Sequence, residues 1–154
     1  MRPAPAHRVF EKSTEKGSFM TATTVAATAT RDGFLRFAMR LDAVITGVMG
    51  VAGLAAAPRI AELSGTTPAL EYAVGAFFVV YGIAVYALSR LAHVRVPGVA
   101  VVVGNVVFTI GSVAVVLAGT WPLTTTGLVL TLGGGVYTLV MADLQYVGLR
   151  RLRS

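Results

Sequence analysis

The chain has 154 residues, no cysteine, a net charge of +6, and 13% charged against 55% hydrophobic residues. That is about half the charged share of an average soluble domain, roughly 25%, and a mean hydropathy of +0.75 points to a membrane protein. Without cysteine there are no disulfides, thiolate metal sites, CxxC redox centres or cysteine-linked haem.

Residues 1–33 come first. "TATTVAATAT" at 21–30 is small and polar, with no charge and no apolar face. The segment reads as a disordered cytoplasmic tail without the apolar centre of a signal peptide, and Met20 is a second candidate start within it. A membrane helix needs about 20 mostly apolar residues. Four stretches qualify: 34–57, 69–91, 98–119 and 123–147. They predict a transmembrane domain over 34–149 and a basic cytoplasmic tail over 150–154. Pro58, Pro68, Pro97 and Pro122 mark the joints, where proline begins or ends helices at little cost. Trp121 and Tyr72 fall near one set of helix ends, and Phe34, Phe37, Tyr86 and Tyr146 near the other, as aromatic belts do.

Twelve of the 13 basic residues precede the first span or enter it, join the second to the third, or follow the fourth. Arg59 alone falls in an outer loop, beside Glu62 and Glu71. Basic residues stay on the cytoplasmic side, so the asymmetry predicts both termini in the cytoplasm of a bacterial cell and the spans in its plasma (inner) membrane. The +6 charge is then a topology signal and an attraction for anionic lipid at that face. No pattern of interleaved aromatic and basic residues points to nucleic acid.

Membrane helices associate through small residues, because lipid gives no hydrophobic drive between them. Each span repeats small side chains at intervals of seven: Ala43, Gly50 and Ala57; Gly75, Gly82 and Ser89; Gly104, Gly111 and Ala118; Gly127 and Gly134, with Gly148 two intervals further on. Thr131 and Thr138 fall on the seam of the last span. The repeat predicts an all-α, antiparallel, up-down bundle of four transmembrane helices with left-handed packing. Leucine at Gly111 or Gly134 should force helices apart, whereas Val129 should face outward.

Few polar residues lie at membrane depth. Asp42 has no basic partner one helical turn away; its neighbours there are Ala38, Met39, Ile45 and Thr46. An ionised aspartate at a helix centre costs about 2.5–3.5 kcal/mol on insertion scales, so a partner is expected from another helix. Arg90, Arg95, Arg150 and the Asn105 amide form the candidate polar cluster with it. The plain reading of Asp42 is a structural interface carboxylate; the sharper one is an ion- or proton-linked group. Asp143 falls opposite the fourth seam, with Tyr146 and Arg150, as an interfacial carboxylate or a contact with another subunit. His7 and His93 are single and far apart, which argues against a metal site. No Ser/His/Asp set, haem histidine pair or phosphate loop is present, so no cofactor and no enzyme activity are expected.

Arg40-Leu41-Asp42-Ala43, Asn105, Ala142-Asp143-Leu144-Gln145 and Gly148-Leu149-Arg150-Arg151 carry a resemblance to small four-helix integral membrane proteins frequent in GC-rich bacterial genomes, a group without an assigned activity. More distantly, the chain is similar to DoxX-like four-helix proteins. The resemblance spans 34–151 and brings no activity to named residues. The expected role is a multi-pass accessory or scaffold subunit of a larger membrane assembly, present as a homo-oligomer or hetero-complex. The alternative is a small oligomeric transporter or channel using Asp42 and Asn105.

Overall fold

The computed structural model describes the backbone of residues 7–152 and the side chains of residues 32–152. It contains α1 (His7–Ser64), α2 (Pro68–Leu88), α3 (Arg95–Ala118) and α4 (Thr125–Arg151). Each provides a segment long and apolar enough to cross a membrane: Asp32–Ser64, Pro68–Leu88, Arg95–Ala118 and Thr125–Arg151. The described residues are all-α, with four helices fit for a multi-pass membrane protein.

The ends of α1 differ from the sequence expectation. Its backbone is helical from His7, through most of the stretch read as a disordered tail; no proline lies between Pro5 and Pro58 to stop it. Residues 1–6 of that stretch, and 153–154 of the basic tail, lie outside the described residues. At the other end α1 runs through Pro58 to Ser64 instead of stopping at the proline. The alanines at 55–57 favour helix on its N-terminal side, and Pro58 itself is exposed. Asp32–Ser64 has 33 residues, about 50 Å at a rise of about 1.5 Å per residue, against a hydrocarbon core of about 30 Å. The surplus turns carry the exposed Arg59–Glu62 ion pair at 2.6 Å.

Threonine side chains begin two of the other helices. Thr67 caps α2 by accepting from the Leu70 amide, with Pro68 in the first turn. Thr124 caps α4 by accepting from the Gly127 amide. The α3–α4 connection is also tied to the end of α1: the Thr124 amide donates to the Ser64 carbonyl at 3.1 Å. At the opposite end, the Arg36 guanidinium of α1 donates to the carbonyls of Ser89 and Leu91, both at 2.8 Å, and of Ala92 at 3.0 Å. One arginine thus covers carbonyls freed where α2 ends.

α1 is the central helix, packed mainly on α2 and α4; α3 packs mainly on α4, and α2 and α3 barely meet. Contacts between α1 and α2 are backbone-close. A Cβ added at Gly50 would lie 2.7 Å from the Val79 amide nitrogen, and one at Gly82 2.7 Å from the Ala43 carbonyl oxygen. Residue numbers therefore fall along α2 as they rise along α1. Against α4, a Cβ on Gly148 would lie 2.9 Å from Leu35 Cα, and one on Gly127 would strike the Ser64 carbonyl.

Of the predicted seam, Gly50, Gly82 and Gly127 lie against the backbone of a neighbouring helix, while Gly104, Gly111 and Gly134 do not. Gly111 is exposed with nothing within 4 Å of an added Cβ; Gly104 and Gly134 would meet only aromatic ring edges, at 3.9 and 3.8 Å. The buried stripe of α3 is Gly98, Val101, Asn105 and Ser112, one position round from the predicted one. On α4, Gly135 replaces Gly134, its added Cβ lying 3.2 Å from Ser112 Cβ. In an apolar medium, polar groups must find partners, and the need of Asn105 and Thr109 for partners on other helices orients α3 more strongly than glycine size does. Thr138 is buried on α4, and Thr131 is half-buried.

Candidate functional site

Asp42 is fully buried, and its carboxylate meets donors on both oxygens. Thr46 Oγ1 and the Tyr137 hydroxyl donate to Oδ1, each at 3.2 Å. Asn105 Nδ2 and Gln145 Nε2 donate to Oδ2 at 2.9 and 2.8 Å. The amides also join each other, Asn105 Nδ2 to Gln145 Oε1 at 3.1 Å. The Tyr81 hydroxyl closes the set by donating to Asn105 Oδ1 at 3.0 Å. All four helices contribute: α1 the aspartate, α2 Tyr81, α3 Asn105, and α4 Tyr137 and Gln145.

The energetics favour this arrangement. Three of the donors to the carboxylate come from other helices, and an interhelical hydrogen bond in membrane contributes about 0.6–2 kcal/mol. Together they match the insertion cost of about 2.5–3.5 kcal/mol. A second cluster extends along α3 and α4: Thr109 Oγ1 reaches the Asn105 carbonyl and the Gly135 carbonyl, each at 3.0 Å, and shares a 2.9 Å bond with Thr138. Among the described residues no buried side-chain polar atom lacks a partner.

The structure joins Asp42 to Asn105, one of the four candidate partners, and leaves the arginines outside the cluster. Arg90 is exposed and lies over the Tyr86 ring, 5.9 Å from its centroid; Arg95 and Arg150 are also exposed. Arginine keeps its head in the polar rim, and the amides serve Asp42 instead. Gln145, Tyr137 and Tyr81 are the partners that sequence reasoning missed. Each carried a signal. Gln145 shares the seam of Thr138 and Gly148, while Tyr81 and Tyr137 lie mid-span, away from the belts where tyrosine is usual. Asp143 and Tyr146 are exposed on the outer face of α4, as their spacing predicts. Among the described residues no group of three His, Cys, Asp or Glu is placed to hold a metal ion.

Beside the network, where α2 and α3 part, lies a cavity of about 280 Å³. Its walls include Met49 of α1, Phe77 and Phe78 of α2, Phe108 of α3, and Gly134 and Tyr137 of α4. The rings of Phe78 and Phe108 pack across the gap, 5.5 Å between centroids, and Phe77 stacks on Tyr81 at 6.0 Å. Thr46, Asn105 and Tyr81 also border the cavity, with their polar atoms in the network around Asp42. The cavity wall is therefore almost wholly carbon.

No family model matches the chain, and no curated protein or solved structure matches it either.

Proposed function

We propose that the chain is an accessory or scaffold subunit of a larger membrane assembly, acting without catalysis in the plasma membrane of a bacterium. Its helices would run up and down antiparallel with left-handed packing, both termini in the cytoplasm. The short connections between helices support the antiparallel order, and the basic residues at one set of ends support the orientation. Membership of a DoxX-like four-helix group is part of this proposal, rests on the sequence resemblance alone and names no reaction.

One observation carries the accessory reading. Asp42, the carboxylate best placed in depth to serve chemistry or ion transfer, has both oxygens bound to donors from within the bundle. It joins helices together and faces no open reactive space. The outer surface is broadly apolar, with Val80, Ile83, Val96 and Leu117 more than 60% exposed, and suits lipid or a partner's membrane helix. The second reading, a small oligomeric transporter or channel, draws on the cavity that borders Asn105 and Thr46.

Two measurements separate the readings. Purification in mild detergent should recover a stable hetero-complex, identified by mass spectrometry; recovery as a lone homo-oligomer favours the transporter. Ion and proton flux in reconstituted vesicles should not differ between wild type and folded Asp42→Asn, and a flux abolished by that change would overturn the accessory reading. A fluorescent protein fused after Ser154 should be bright, and phosphatase inserted at Thr66 active. Active phosphatase at the C-terminus would reverse the orientation.

A further inference from the structure

The cavity between α2 and α3 lies at the middle of every helix that lines it. Phe78 is the central residue of Pro68–Leu88, Thr138 that of Thr125–Arg151, and Gly104–Phe108 surround the centre of Arg95–Ala118; Met49 sits beside the centre of Asp32–Ser64. In a bilayer this level is hydrocarbon, occupied by the ends of acyl chains. Two lining glycines keep the space open: a side chain added at Gly104 or Gly134 would meet nothing nearer than a ring edge. The bordering hydroxyls and amides turn inward to Asp42, so the walls offer carbon and aromatic faces. The lining includes the exposed side chains of Phe77 and Val107, on α2 and α3, which scarcely touch. A dry apolar cavity of about 150 Å³ suffices to hold benzene; this one is about 280 Å³.

We infer that this cavity is a lipid-binding site that takes the terminal part of one phospholipid acyl chain, entering sideways from the bilayer between α2 and α3. The occupant is a hydrocarbon chain because the wall presents almost no polar atom, and a lipid chain because the cavity lies at the mid-depth of the helices, where a bilayer holds acyl-chain ends. A bound chain would complete the contact between α2 and α3 that their side chains leave unfilled. The site depends on the bundle lying in a bilayer and stands with or without a partner subunit.

The test uses the full chain reconstituted in phosphatidylcholine vesicles, then transferred to mild detergent for native mass spectrometry. The wild type should retain one phospholipid mass per chain, and a Gly104→Leu/Gly134→Leu variant should lose it with no fall in melting temperature. Gly111→Leu, on exposed surface away from the cavity, should retain it. Equal lipid retention in wild type and filled variant overturns the site. So does a filled variant that keeps its lipid and loses self-association, which would assign the cavity to a second copy of the chain. A measurement on wild type covers the case in which the filled variant fails to fold. Phosphatidylcholine bearing a diazirine at the acyl-chain end should label Thr46 and Thr138, which are 6% and 8% exposed in the cavity wall. Labelling confined to outward residues such as Val129 and Val136 overturns the site.

Discussion

The two flanks of α2 are built on opposite rules. Toward α1, Gly50 and Gly82 bring backbone against backbone, so close that neither position has room for a Cβ. Toward α3, contact is left mainly to the ring pair of Phe78 and Phe108, and the glycines opposite, Gly104 and Gly134, open onto a cavity. One flank is shaped by close approach and the other by an absence of approach, yet glycines spaced by seven mark both. Glycine lets helices come together only where the neighbouring helix is drawn in by something else. On the α1 side that includes the Arg36 bonds to the end of α2; on the α3 side the polar link is the hydrogen bond from Tyr81 to Asn105.

The Asp42 network joins the two flanks, so its loss should have the largest effect. Asp42→Leu takes the carboxylate acceptor from the Gln145 amide nitrogen, and from Asn105 and Tyr137, which keep Gln145 Oε1 and the residue-42 carbonyl as partners; a donor left without a partner costs about 1–3 kcal/mol. We expect a large fall in thermal stability in detergent and loosening on both sides of α1. Asp42→Asn keeps the shape and one acceptor while placing a donor among donors, and should lose about 1–3 kcal/mol. If the leucine variant is no worse than the asparagine one, the network is not what ties the helices together.

Gly82→Val tests the tight flank alone. The new side chain would strike the Ala43 carbonyl and the Gly47 backbone, at 2.7–3.0 Å from the Cβ. Overpacking costs about 1–3 kcal/mol, and rigid backbone walls place this variant at the upper end. Melting temperature and α1–α2 cross-linking should both fall. On the loose flank, Phe108→Leu removes one ring of a pair that contributes about 0.5–1.5 kcal/mol. Its melting temperature should drop less than that of Gly82→Val, and equal losses would erase the distinction between the flanks.

The helices were legible because a run of about 20 apolar residues has few alternatives to spanning a membrane. Proline was less reliable: Pro68 starts a helix, while Pro58 lies inside one. The seams of α1 and α2 were legible because their small residues, Ala43, Gly50, Gly75 and Gly82, are also the buried ones. On α3 size and polarity disagreed by one residue, Gly104 against Asn105 and Gly111 against Ser112, and polarity prevailed. Depth and the absence of a basic neighbour one turn away directed Asp42 to another helix but left Asn105 one of four candidates, with Arg90, Arg95 and Arg150. The bond to Asp42 from Thr46 of its own helix was not foreseen. Neither were Gln145 and the two mid-span tyrosines, because their role depends on how α4 and α2 are rotated, which spacing alone leaves open. The cavity is a property of the α2–α3 separation and has no counterpart in any single stretch of sequence.

The smallest expected effect is the most direct check of that one-residue shift. Gly111→Leu should force helices apart if α3 presents Gly104 and Gly111 to its neighbours. With Asn105 and Ser112 turned inward, Gly111 faces outward, exposed and with nothing within 4 Å of an added Cβ. Leucine there adds an apolar side chain to a lipid-facing surface that already carries Ile110, 63% exposed. Surface changes of this kind stay within about 0.5 kcal/mol, so the melting temperature in detergent should match wild type and that of Val129→Leu on the outer face of α4. A loss as large as that of Gly82→Val would place Gly111 back in an interface and move Asn105 away from Asp42.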